Sequence, residues 1–454
     1  FMFTYGAVID QNMMVNVFET NSQEATALLT PQLVLWLVVA GLVPSVVLAL
    51  IRIRPGKWWQ TLLMRLAAIL ASLVVIVLVA AVFYKDYASL FRNNKGIVKM
   101  VTPANYVSAI AKYSKARWFA GDQTLIRLGE DARKGPVLLA EQKKTVLVLV
   151  IGEASRAENY SLNGYHRETN PELKKENVIN FPQASSCGTE TAVSVPCMFS
   201  GMPRKKYDAD LAHHQEGLMD VLNHAGINML WRDNDGGCKG ACDRIPHTDM
   251  TQWKLDQFCK DKSCIDDADL YRLDDTLDGL KQDTVLVIHL MGSHGPAYYQ
   301  RYPEQYRRFT PTCDTNEIQD CDHQALMNTY DNTILYTDSV VSRTIDALKA
   351  RQATMNTALV YLSDHGESLG ENGLYLHGTP YMLAPEQQTH IPFMFWLSKD
   401  YKQNFGVDEQ CLRDQAAKET VSQDNLFSTV LGMMNIRTTV YQPQMDLLAH
   451  CRQT

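Results

Sequence analysis

At 454 residues the chain exceeds one average domain, and its length suggests two to four units. A formal net charge of −7 excludes the basic stripe expected of a nucleic-acid binder. Hydrophobic residues make up 46% of the sequence, an ordinary share, but apolar residues crowd the first 85 positions.

In chain order, Phe1 to Gly6 reads as the tail of an earlier membrane span, so further helices are expected ahead of it. Met13 to Thr30 carries Glu19 and Glu24 and no basic residue. Two spans follow, near 31–51 and 62–84, each long enough to cross about 30 Å of hydrocarbon. The alternative, two buried helices of a soluble core, requires unusually long charge-free stretches. Arg52, Arg54, Lys57 and Arg65 mark the intervening loop as cytoplasmic, so everything after Tyr84 is expected outside, which in a bacterium is the periplasm. Residues 1–84 are therefore read as a transmembrane region. Residues 85–143 are read as a connector of amphipathic helices on the membrane surface, with a solvated linker helix as the competing reading.

Residues 144–454 have a different texture. Thr145–Ile151 is a continuous apolar, largely β-branched run, as in a parallel strand buried on both faces. Thr284–Leu290 and Thr357–Leu362 are similar, and Ile227–Trp231 and Pro392–Trp396 are weaker candidates. Helical segments such as Gln324–Arg351 lie between them. The expected fold is α/β, with a mostly parallel sheet flanked by helices. The three strong strands end in Gly152-Glu153-Ala154-Ser155-Arg156, Gly292-Ser293-His294-Gly295-Pro296 and Ser363-Asp364-His365-Gly366-Glu367-Ser368. Sites in such sheets form beyond the carboxyl ends of the strands, so Glu, His and an Asp-His pair point to a shared metal site.

All ten cysteines lie at or after Cys187, in local doublets that indicate disulfides in an oxidising compartment. Zinc knuckles are the rival reading, but no doublet has C-x-x-C spacing. The expected pairs are Cys187/Cys197, Cys238/Cys242, Cys259/Cys264 and Cys313/Cys321, leaving Cys411/Cys451 by elimination.

The residues Gly152–Arg156, Cys187–Cys197, Ser363–Gly373 and Tyr375-Leu376-His377-Gly378 resemble motifs of the alkaline phosphatase/sulfatase superfamily, specifically its lipid A phosphoethanolamine transferases, the group that includes the mobile colistin-resistance enzymes. The resemblance covers essentially the whole chain. It implies a zinc-dependent enzyme of the bacterial inner membrane, multi-pass, monomeric, with its catalytic domain in the periplasm. That enzyme would move phosphoethanolamine from phosphatidylethanolamine to a phosphate of lipid A, conferring polymyxin resistance; core heptose is the alternative acceptor. The family has five membrane helices, whereas two whole ones and a fragment are legible here.

The resemblance also implies roles. Thr191 is the nucleophile, and Glu153, Thr191, Asp364 and His365 hold one Zn²⁺. Zinc would lower the pKa of the Thr191 hydroxyl, and a following helix would favour an anion at its N-terminus. Taken alone, Thr191 reads as an N-cap before it reads as a nucleophile. His294 and His377 meet the phosphate or a second Zn²⁺. Lys239 neutralises phosphate, against the plain reading of a surface lysine. Asn16 and Glu24 match positions associated with lipid substrate, against simple exposure. A sulfatase would need a Cys/Ser-x-Pro-x-Arg nucleophile segment, which is absent around Thr191. A glycerol-phosphate polymerase usually lacks such dense local disulfides. A membrane-anchored binding protein would have no reason to retain every ligand beside a hydroxyl nucleophile.

Overall fold

The computed structural model describes residues 8–10, 13–14, 17–18, 29–51, 57–83, 101–118, 124–260 and 263–452. Asn16 and Glu24 lie outside them, as do Arg52 and Arg54. Helix α1 (Pro31–Leu50) has mean hydropathy 2.7 and α2 (Trp58–Val82) 2.8, and neither has a buried residue. Thr30 caps α1 by accepting the Leu33 N–H at 3.2 Å. A π-helical turn at Val38–Leu42 precedes Pro44, whose missing N–H and ring disturb the regular ladder. The second helix begins at Trp58, four residues before the boundary expected from apolarity. Trp58, Trp59, Gln60 and Thr61 are compatible with a helix even where they weaken a hydrophobic run.

Helix α3 (Ala104–Trp118) lies within the connector. Residues 124–143, read from sequence as the end of that connector, pack on the following domain. Ala132 and Leu138 join its core, Arg127 pairs with Glu216 at 2.8 Å, and Arg133–Lys134 pairs antiparallel with Ile436–Arg437.

The central sheet has seven strands: β1 (Lys144–Gly152), β2 (Ile179–Asn180), β3 (Asn228–Asp233), β4 (His247–Asp249), β5 (Thr284–His289), β6 (Met355–Ser363) and β7 (Phe393–Leu397), in the order β2-β7-β6-β1-β5-β3-β4. Strands β6, β1, β5, β3 and β4 are mutually parallel, and β7 runs antiparallel to β6 and β2. Period two divides β1 between two cores. Leu147, Leu149 and Ile151 enter one, with Val195, Met198 and Phe199 of helix α4 (Thr191–Ser200). Val146, Val148 and Val150 enter the other, with Leu326, Tyr330, Ile334, Val341, Ile345 and Leu348 of helix α5 (His323–Lys349). Both faces of the sheet are thus covered, which is why β1, β5 and β6 read as unbroken apolar runs rather than alternating ones. A small sheet of Ala184–Ser185, His390–Ile391 and Val421–Ser422 brings the segment before Thr191 beside Gln423.

The five disulfides join Cys187–Cys197, Cys238–Cys242, Cys259–Cys264, Cys313–Cys321 and Cys411–Cys451, leaving no free cysteine.

Candidate active site and metal centre

Parallel pairing of β1 with β6 aligns Gly152 with Ser363 and so brings the next residues, Glu153 and Asp364, together. The crossing is fixed by Asp364 N–H donating to Gly152 O at 2.8 Å and Ala154 N–H to Asp364 Oδ1 at 3.2 Å. From β5, Ser293 N–H donates to Glu153 O at 3.0 Å. Gly292 permits that approach: it has φ +50°, and a Cβ there would lie 2.8 Å from Glu153 O and 2.9 Å from Glu153 N. At Gly366 a Cβ would meet Gln387 O at 2.0 Å. Gly366 O accepts from His365 Nδ1 at 2.8 Å, which turns Nε2 into the site as a lone-pair donor.

Thr191 is the first residue of α4 and is buried. Its hydroxyl donates to Glu153 Oε2 at 3.0 Å and lies 3.4 Å from His365 Nε2. The segment before it is tied down by the Cys187–Cys197 disulfide, by Gly188 N–H to Ser194 Oγ at 3.0 Å, and by Gly378 N–H to Thr189 O at 2.8 Å.

Glu153, Asp364 and His365 are fully buried, and their ligand atoms all lie within 4.8 Å of one another. Among the described residues, Glu153 Oε1 and Asp364 Oδ2 receive no hydrogen bond, although each lies 3.3 Å from His365 Nε2. Burial, and then the charge of Asp364, push the Glu153 carboxyl well above the usual carboxylate range. Two buried carboxylates with orphaned oxygens facing a ring nitrogen are costly unless a cation joins them, so this donor set fits a metal ion.

The other sequence-predicted histidines reach the same place. The His377 ring lies 4.3 Å from that of His365 and 5.5 Å from that of His294. His377 Nδ1 is 2.7 Å from Glu367 Oε2, and Glu367 Oε1 accepts from Tyr298 OH at 2.5 Å. Burial opposes protonation of His377, but Glu367 outweighs it and raises its pKa. His294 Nδ1 is buried without a hydrogen-bond partner among the described residues; burial, then Arg301 and His377, hold this ring well below its ordinary pKa and therefore neutral. Lys239 Nζ rests 3.4 Å from Gly236 O on the loop after β3.

The sulfatase family model matches residues 145–436, and the phosphoethanolamine transferase EptA/EptB model matches residues 1–118. Phosphoethanolamine transferase EptA of Salmonella typhimurium is 52% identical over 100% of this chain and 83% of its own length. The chain belongs to the EptA/EptB phosphoethanolamine transferase family. Phosphatidylethanolamine transferase Mcr-1 of Escherichia coli is 38% identical over 88% of this chain and 75% of its own. The solved structure of the integral membrane protein EptA from Neisseria meningitidis superposes with a TM-score of 0.92 at 42% identity, covering 100% of this chain and 84% of that one.

In this EptA/EptB-family chain, sequence reasoning missed three supports of the site. Gln423 Nε2 donates to Ser363 O at 2.8 Å and to Asp364 O at 2.6 Å, while its Oε1 accepts from Cys187 N–H at 2.7 Å. Tyr330 OH donates to Ala154 O at 2.6 Å and accepts from Arg156 N–H at 2.9 Å. Tyr298 holds Glu367 as described. Each sits in a segment with no motif of its own; Glu367 alone had a signal, its place in the Asp-His-Gly-Glu run.

Proposed function

We propose that the chain transfers phosphoethanolamine from phosphatidylethanolamine to a phosphate group of lipid A, with Thr191 as nucleophile. The observation that carries this reading is the Thr191 hydroxyl, at a helix N-terminus, 3.0 Å from Glu153 Oε2 and facing the Glu153–Asp364–His365 cluster. Relatives named phosphoethanolamine transferases support the class of reaction.

Glu153, Thr191, Asp364 and His365 would hold Zn²⁺, since oxygen and imidazole donors suit it. When bound, Zn²⁺ would supply positive charge that lowers the pKa of a neighbouring hydroxyl and polarises a phosphoryl oxygen. Thr191 Oγ1 gives its proton to Glu153 Oε2, its hydrogen-bond acceptor, and attacks the donor phosphorus; a Thr–O–P bond forms, and the P–O bond to diacylglycerol breaks. His377, kept basic by Glu367, stands ready to give a proton to the leaving oxygen. An oxygen of an acceptor phosphate attacks the same phosphorus in the second step, and Thr191 leaves. The amides and dipole of α4 favour the anionic phosphoryl group throughout. His294, neutral, and Lys239 contact phosphoryl oxygens, and either histidine would serve a second Zn²⁺.

Helices α1 and α2 are read as inner-membrane spans that leave residues 144–454 in the periplasm, where disulfides persist. Asn16 and Glu24 are read as contacts to the lipid substrate. The product would be lipid A with fewer net negative charges, and hence polymyxin resistance. The test is twofold: release of labelled diacylglycerol from phosphatidylethanolamine, and mass spectrometry of lipopolysaccharide from cells with and without the gene. A phosphoethanolamine found on core heptose instead of lipid A would replace the acceptor. Failure to release diacylglycerol would overturn the reading.

A further inference from the structure

Strands β3 and β5 end side by side in Asp233 and His289, which are partners in register. Both side chains are buried. His289 Nδ1 lies 2.9 Å from Asp233 Oδ2, and its Nε2 lies 3.5 Å from Asp235 Oδ2. The imidazole is therefore bracketed by the two carboxylates that open the loop carrying Lys239. The other oxygen of Asp233 accepts the backbone N–H of Asp235 at 3.0 Å and of Gly237 at 2.7 Å. Trp231 Nε1 also donates to Asp233 at 3.2 Å, and Asn234 N–H donates to His289 O at 3.0 Å.

That loop needs anchoring. Lys239 has φ 49°, between Gly237 at 105° and Gly240 at 94°, inside the ring closed by Cys238–Cys242. A left-handed conformation is unfavourable for a residue with a Cβ, so Lys239 does not choose this geometry by itself. The same clamp reaches the His294 loop. Asn234 Nδ2 donates to Asp266 Oδ1 at 3.1 Å, and Asp266 accepts the Met291 and Gly292 N–H groups at 2.8 and 3.1 Å. Charge also matters. Unneutralised, Asp233 and Asp235 would repel both each other and an arriving phosphate. Burial opposes protonation of His289, but Asp233 and then Asp235 outweigh it and raise its pKa to about 9.

We propose that His289 is a positioning residue for donor binding: bracketed between Asp233 and Asp235, it sets the Lys239 loop against the phosphate of the phosphodiester headgroup. This rests on the reading of Lys239 as a phosphate contact.

The experiment measures KM and kcat for diacylglycerol release by the full chain in vesicles of phosphatidylethanolamine and phosphatidylglycerol, for K239A, H289Q, D235N and H289Q/K239A, with bound zinc quantified. Glutamine keeps a single donor nitrogen but neither the charge nor donors on two opposite nitrogens. Loss of the Lys239 contact is expected to raise KM about tenfold, and H289Q to raise it by a similar factor with kcat within about threefold and zinc unchanged. The double variant should bind no worse than K239A, because both changes remove one interaction. D235N, which leaves the Asp233–His289 pair intact, should raise KM about threefold and keeps the test open if H289Q folds poorly. Wild-type KM in H289Q and D235N beside a raised KM in K239A would overturn the inference alone. So would full additivity of H289Q with K239A. A wild-type KM in K239A would overturn the Lys239 reading and the inference with it.

Discussion

Gln423 Nε2 donates to the backbone carbonyl of Asp364 at 2.6 Å, across 59 residues of sequence. Its carbonyl oxygen accepts from Cys187, so a single buried amide ties the strand end carrying Asp364 and His365 to the segment before Thr191.

Gln423→Ala is therefore expected to leave three buried backbone groups with a lost partner and to destabilise by about 2–4 kcal/mol. Gln423→Glu, of equal size, puts a carboxylate against two carbonyl oxygens and should cost activity more than the alanine variant does. Unfolding and diacylglycerol release measured side by side check both. A glutamate variant with wild-type turnover would mean that the amide does not align the two segments.

Gly292→Ala tests the approach of β5 to the Glu153 backbone. A methyl group there meets backbone atoms at 2.8 and 2.9 Å in a left-handed conformation. The expected result is a loss of about 1–3 kcal/mol together with reduced zinc occupancy, because Glu153 must shift. Elemental analysis and thermal unfolding measure the two effects. Unchanged zinc content in a destabilised variant would separate this contact from the metal site.

The ion pair of His289 predicts a pH dependence of stability. The folded-state pKa, about 9, lies above the unfolded value near 6.5, so the stabilisation is complete below about 6.5 and fades as pH rises through about 9. Asp233, Asp235 and, farther off, Asp364 are the charges that act on it. The contribution is at most about 3 kcal/mol. Tm measured between about pH 6 and pH 9 should fall more steeply in the wild type than in H289Q. Parallel slopes would show that His289 is not protonated in the folded state.

The parts of this molecule that announce themselves in sequence are those in which burial or chemistry restricts residue type. Strand β1 is buried on both faces, so every position from Val146 to Ile151 is apolar and the strand is legible from end to end. Glu153, Asp364 and His365 stand at the ends of such strands, where acidic and imidazole groups are conspicuous. The antiparallel direction of β7 left no trace, because a strand buried on both faces reads the same either way. Gln423 and Tyr298 were equally silent. Their work depends on partners far along the chain, and glutamine or tyrosine is unremarkable in a loop. The start of α2 at Trp58 was missed for a local reason: polar and aromatic residues blur the edge of an apolar run.

The Cys411–Cys451 disulfide closes the longest of the five loops, with a sequence separation of 40. Loop entropy gives about 4 kcal/mol for a ring of that size. The double variant C411S/C451S should lose stability on that scale while retaining most of its turnover, because helix Glu409–Ala416 and the turn Ala449–Cys451 supply none of the side chains described around Thr191. Denaturant unfolding beside a turnover assay decides this. A stable variant without activity would assign the bond to the site instead.

The most direct measurement follows the phosphoryl group itself. The full chain, mixed with phosphatidylethanolamine labelled in its ethanolamine and quenched in acid before acceptor is added, would be digested and its peptides sequenced by mass spectrometry. The label is expected on the peptide containing Thr191, at that residue, and should leave when lipid A is supplied. Thr191→Ser, which keeps the hydroxyl, should carry some label, and Thr191→Ala none, with stability changed by no more than about 1 kcal/mol. Transfer to lipid A by Thr191→Ala, or a label that settles on any other residue, would contradict the covalent role of Thr191.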